Sequence, residues 1–268
     1  MALIVAHANT QPDERKVLEA GFVQGLPLSE FAAPNLEPAC NLLEKDEYDQ
    51  AVPLLRQAVR QDPDDLVAFV CLAQSDATYR NTELSRLEKH EASTRNYSSL
   101  VFRMGTLHFY NAKSTYLLHS NIAAEPELTR AKQLLEQAWK QNKAPIVGLM
   151  YAEANLIPSP NFKISFEVLQ KLIAQLGGTQ VYTAYQEAKQ NSWQTPIPSV
   201  IQVPKKNLKP LRGVVRLLTS MSGMRVGHGV KNGNHYDFTY DPVPPDRQRM
   251  AQYFARWRSA IDQALVRQ

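Results

Sequence analysis

Between residues 36 and 65 apolar and small positions recur at helical spacing in two short runs split by a polar turn. The stretch reads LEPACNLLEKDEYDQAVPLLRQAVRQDPDD. In its second run Tyr48, Ala51, Leu55 and Ala58 fall at i, i+3, i+7 and i+10, one packed face of a helix. Ala39, Ala51 and Ala58 stand where two helices would approach closely, and Leu42, Tyr48 and Leu55 would fill the space around that contact. Pro38 suits a first helical turn, and Asp46 is the expected N-cap of the second helix. Pro53 lies inside that helix, where its ring and missing N–H predict a bend.

The same periodicity continues along the chain. Residues 66–79 predict the start of a second helix pair, with Phe69, Leu72 and Ala73 on its packed face and Asp76 out of pattern. Residues 81–93 are charged and weakly amphipathic. A long helix is expected over 98–122, with Gly105 allowing a neighbour to come close. Over 127–141 the first theme returns, with Leu128, Ala131, Leu135 and Ala138 in the places of Tyr48, Ala51, Leu55 and Ala58. Residues 146–156 and 162–176 form a further pair, stopped by Gly177-Gly178, and 181–191 make a last short helix. Upstream, residues 13–22 read as a short helix, and Leu26, Leu28 and Phe31 as a cap on the first pair.

This arrangement of large and small positions resembles the tetratricopeptide repeat, a helix–turn–helix unit that stacks into solenoids. The match is best over 36–65, with a second partial match at 127–156. Ala51 and Ala131 are 80 residues apart, whereas two regular repeats would place them ~68 apart, so the array is irregular. The fold class expected is mainly α: a TPR-like antiparallel helical array, an α-solenoid, with a small C-terminal β-hairpin plus an amphipathic helix. The resemblance implies a concave groove that takes a peptide or protein segment, with Asn35, Asn41, Gln74 and Tyr79 facing it.

Composition divides the chain. Residues 1–202 carry 18 Lys/Arg against 22 Asp/Glu, net −4, while 203–268 carry 12 against 4, net +8. Four prolines fall within 195–210, the mark of a stiff extended connection. The expected organisation is a capping segment 1–35, the array 36–194, the Pro-rich connection 195–210 and a basic hairpin–helix element 211–268.

In that last element MRVGHGVKNGNHYDFTYD predicts a hairpin turning at Asn232-Gly233. This turn pairs Val230 with His235 and His228 with Asp237, gathering His228, His235 and Asp237 on one face. Two imidazoles and a carboxylate can hold Zn²⁺, which makes this trio the candidate metal or enzymatic site; cross-strand His–Asp pairs also form plain ion pairs. Residues 244–268 form an amphipathic helix with Met250, Tyr253, Phe254, Trp257 and Ile261 on its stripe. Arg247, Arg249, Arg256 and Arg258 lie mostly off it, as a basic surface. That surface suggests a further alternative, association with nucleic acid or an anionic membrane. The aromatics, however, belong to the packing stripe rather than to a base-stacking platform.

Other chemistry is sparse. Cys40 and Cys71 are the only cysteines, both in apolar helical patterns, and they read as buried thiols, with a disulfide between them as the alternative. His90, His108 and His119 lie on helices without a nucleophile motif. No G-x-S-x-G, P-loop, dinucleotide turn or HExxH occurs, and no cofactor is expected. No apolar run reaches the ~18–20 residues of a membrane span. MALIVAHA resembles the end of a signal peptide but lacks a basic start. A cytoplasmic location is expected, with export as the alternative. The reading that follows is a non-enzymatic scaffold or adaptor for a protein or peptide partner.

Overall fold

Two aspartates punctuate the early helices. The side chain of Asp65 accepts from the N–H groups of Val67 and Ala68 at 2.9 and 3.0 Å and starts α3 (Leu66–Ser75). Asp76 ends that helix and accepts from Tyr79 N–H at 3.0 Å to start α4 (Ala77–Glu88). The single helix expected over 66–79 is therefore two, because the out-of-pattern aspartate is a cap. Before them, α1 (Glu37–Glu44) and α2 (Tyr48–Gln61) meet at Asp46, whose φ of 61° turns the chain in the left-handed region. Asp46 is thus the corner rather than the N-cap, and its carboxylate instead accepts from the Tyr48 hydroxyl at 2.8 Å. Tyr48, the first residue of α2, is exposed rather than packed, while Ala51 and Leu55 are fully buried. α2 continues through Pro53 on its exposed side.

The computed structural model describes residues 14–18, 26–89, 98–119, 124–157, 160–198, 200–232 and 235–267, with the side chains of 14–18, 98, 114–119 and 227–238 excepted. Its architecture is mainly helical. After α4 come α5 (Ser98–His119), α6 (Glu125–Gln141), α7 (Pro145–Ala154) and α8 (Phe162–Gln190). α9 (Lys205–Gly223) and α10 (Pro245–Arg267) complete the helices. Each packs chiefly on its neighbours in sequence, and α1, α3, α5 and α7 also touch in succession. At Gly105 of α5 a β-carbon would stand 3.0 Å from the Leu135 side chain of α6, so its absence sets how closely these helices approach. Leu128, Ala131, Leu135 and Ala138 of α6 are all fully buried. α8 is broken at Gly178, whose φ of 64° and ψ of −165° are outside helical geometry. Only glycine adopts that backbone conformation cheaply.

Runs of consecutive residues are buried in the middle helices: 68–73 in α3, 101–110 in α5 and 146–154 in α7. A helix buried around its whole circumference has no free face. Over these runs, then, the helices present no open face.

The C-terminal region joins the same core. α9 packs on α8, on α10 and on the 3₁₀ turn Leu28–Glu30 at the other end of the chain. Lys209 pairs with Glu37 at 2.5 Å, Arg212 with Glu30 at 2.8 Å and Arg216 with Glu44 at 2.9 Å. Ser29 N–H and hydroxyl also donate to Glu44. Buried side chains run as one cluster from Leu26 to Ile261. The extended connection ends at Pro204, and helix begins at Lys205 with Pro210 inside it. The expected boundary at residue 211 thus falls within a helix that belongs to the common core.

Three short strands, β1 (Glu14–Leu18), β2 (Val226–Asn232) and β3 (His235–Tyr240), pair antiparallel in that order. Two expectations change here. The helix predicted over 13–22 gives way to β1, whose Lys16 pairs with His228 of β2. The β2–β3 register is also displaced. Asn232 pairs with His235, Val230 with Asp237 and His228 with Thr239. Register follows the two residues left between strands. These are 233–234, outside the described residues, and not Asn232-Gly233. Among the described residues, no helix is long and apolar enough to cross a membrane. Residues 1–13, including the signal-like start, lie outside them.

Candidate functional site

Residues of α2, α3 and α4 line a cavity of about 300 Å³: Arg56, Val59, Arg60, Leu72, Thr78, Tyr79 and Thr82. Local sequence builds each wall. The α2 stripe turns Ala51 and Leu55 into the core, which leaves Arg56 and Arg60, one turn apart, on the outward side. Leu72 of α3 is buried and forms the floor. Tyr79, fixed in the first turn of α4 by the Asp76 cap, lays its ring against Phe69 with centroids 6.3 Å apart.

Charge at the rim is ordered. Arg56 donates from Nε to Asp76 Oδ2 at 2.7 Å and approaches the same oxygen through a second nitrogen at 2.5 Å. Burial pushes the Asp76 carboxyl up, but the Tyr79 N–H and the Arg56 guanidinium outweigh it and hold the pKa below the ordinary value. Arg60 is exposed and makes no ion pair among the described residues. Burial first, then the Glu83 carboxylate, raise the Tyr79 phenol to about 12, so it remains a hydrogen-bond donor at neutral pH. The cavity therefore combines an apolar floor, a phenolic donor and two guanidinium groups. It suits an apolar side chain next to a carboxylate.

The four groove residues do not converge. Asn35 and Asn41 are exposed near and on α1. Gln74 turns inward, where Tyr110 donates to its Oε1 at 3.4 Å. Tyr79 alone reaches the cavity. Lys113 of α5 pairs with one oxygen of buried Glu153 of α7 at 2.7 Å, while Glu153 Oε2 and the hydroxyl of Thr106 are buried without a hydrogen-bond partner among the described residues. Arg80 donates to the Ala73 and Gln74 carbonyls and to Asn111. His108 is buried with Nδ1 2.9 Å from Glu127, a structural histidine; His90 and the His119 side chain lie outside the described residues.

The basic surface is divided. Arg247 is not a surface residue: it donates to the Met221 and Met224 carbonyls at the end of α9, and its guanidinium lies 4.2 Å from the Phe162 ring centre. Arg256 donates to Trp193 O, and Arg249 pairs with Asp246. Arg258 is exposed. Tyr253, Phe254 and Trp257 are buried, and Tyr253 donates its hydroxyl to Ala184 O. For the proposed metal trio, the register separates His228 and Asp237 from direct opposition, and the three side chains lie outside the described residues. Among the described residues no cluster of three metal-ligating side chains occurs.

Sequence reasoning missed Arg56, Arg60 and the Asp76 pairing. The i, i+4 arginines are visible in the polar face of 48–61. The partner of Arg56, 20 residues beyond it, becomes visible only once the fold brings the start of α4 up to α2. No protein-family model matches the chain, and neither a curated protein nor a solved structure matches it significantly.

Proposed function

We propose that the chain is a non-enzymatic, tetratricopeptide-like interaction module that binds a short protein segment in the cavity lined by α2, α3 and α4. The segment carries an apolar or aromatic side chain flanked by Asp or Glu. One observation carries this reading: a cavity of about 300 Å³ has an apolar floor and, at its rim, the exposed guanidinium of Arg60 beside the Arg56–Asp76 pair. Charge complementarity selects the acidic flank, and the floor of Leu72, Val59 and Tyr79 selects the anchor. Around α5, by contrast, several polar groups pair within the core, Lys113 with Glu153 and Arg80 with Asn111 among them.

The electrostatic alternative loses much of its motive. Lys209, Arg212 and Arg216 of the basic region spend their charge on acids of the N-terminal region, and the α10 aromatics are inside. The test is a selection of displayed random peptides on the full chain. Enriched sequences pair an aromatic or branched apolar residue with Asp or Glu. Tyr79→Ala and Arg60→Glu each weaken binding at least tenfold, while Arg258→Glu leaves it unchanged. Enrichment without acidic residues, or binding indifferent to both cavity substitutions, contradicts the proposal.

A further inference from the structure

Cys40 on α1 and Cys71 on α3 face each other in the core, both wholly buried, with their sulfurs 2.7 Å apart. Both thiols are free in this structure, and their sulfurs already stand close enough that a small movement would bring them to the bonded separation of ~2.05 Å. No other cysteine exists in the chain to compete. We propose that Cys40 and Cys71 are a site of covalent modification: in the presence of a low-molecular-weight disulfide they form an intramolecular disulfide that staples the first helix pair to the second.

The exchange balances in two displacements. The Cys40 thiolate attacks one sulfur of the small disulfide, whose S–S bond breaks and releases one thiolate, leaving a mixed disulfide on Cys40. The Cys71 thiolate then attacks the Cys40 sulfur and expels the second small thiolate. Two electrons pass from the protein sulfurs to the oxidant, and the two protons lost by the cysteines are taken up by the two released thiolates. Burial shapes the kinetics. It pushes the Cys71 thiol well up, and neither sulfur is accessible in the folded chain. Oxidation therefore runs while α1 is lifted from α3, and the finished bond resists reduction for the same reason. α1 has only eight residues, and so short a helix depends on its packing for stability, so a covalent tie to α3 adds to what holds it in place.

The test uses the full chain, refolded with either oxidised glutathione or a reducing agent, then denatured and treated with N-ethylmaleimide. The oxidised sample is expected to take up no maleimide, to weigh two hydrogens less than the reduced chain, and to yield one peptide linking Cys40 to Cys71. Its thermal midpoint lies above that of the reduced chain by ~5–10 °C. Cys40→Ser leaves Cys71 reactive and abolishes the redox-dependent shift; the reduced wild-type chain supplies the same comparison without a substitution. Two reactive thiols after oxidation, stable glutathione adducts, dimers linked between chains, or an internal bond that lowers the midpoint would each overturn the proposal.

Discussion

Arg212 holds Glu30, 182 residues earlier in the chain, at 2.8 Å, and Asp262 at 2.9 Å through its other terminal nitrogen. With the Lys209–Glu37 and Arg216–Glu44 pairs, this bridge sets basic side chains of α9 against acids of the N-terminal region within one molecule. Burial draws the Arg212 guanidinium down, but the hydrogen bonds to Glu30 and Asp262 more than compensate and raise its pKa. Glu30 is largely buried, so removing its partner strands a carboxylate. Arg212→Ala is expected to cost about 2–4 kcal/mol in urea unfolding. Arg212→Lys should recover only part of this, because an ammonium cannot span both acids as a planar fork does. Equal stability of Arg212→Ala and wild type would show that the bridge contributes nothing.

Close approach of α9 to the N-terminal turn rests on a missing side chain. A β-carbon at Gly213 would meet the Phe31 ring at 2.6 Å and Glu30 Cβ at 3.0 Å. Gly213→Ala should therefore destabilise the chain by about 1–3 kcal/mol, despite the better helix propensity of alanine. Phe31→Ala in the same chain should return part of that loss, giving non-additive free energies in a double-mutant cycle. Additive effects would mean that the two residues are not in contact.

Acid provides a third check. The Asp76 pKa is lowered in the folded chain, so its contribution is present above the unfolded value of ~3.9 and is lost as pH falls through the folded value. Asp76→Asn should be less stable than wild type by about 1–3 kcal/mol at neutral pH. The gap should narrow steadily below about pH 4, as the wild-type carboxylate is neutralised. A gap independent of pH would assign the loss to shape rather than charge.

Legibility in the sequence followed the range of the interactions. Ala131, Leu135 and Ala138 were found because a helix writes its buried face at a fixed period. Gly178 was found because a glycine pair interrupts that period. Asp76 breaks the helical period, and its role as a cap depends on the residues after it, while its pairing with Arg56 depends on where the fold places the start of α4. The charge shift after 202 points to a separate basic element, and periodicity does not reveal what a face packs against. The stripe of Tyr253, Phe254 and Trp257 was visible, but its contact with Tyr185 and Trp193 is fixed by the fold alone. Strand register proved sensitive in a different way, since moving the turn by one residue displaces every cross-strand pair by two.

The buried side chains of α9 and α10 belong to one core with those of the preceding helices. Native-state hydrogen exchange tests this most directly. Amides of Leu208–Met221 in α9 are expected to exchange only through the same global opening as those of Phe69–Ala73 in α3 and Val147–Ala152 in α7. Their opening free energies should agree and respond alike to urea. Exchange of the α9 amides through a separate opening of much lower free energy, with α3 and α7 still protected, would contradict the claim and make the basic region an independent element.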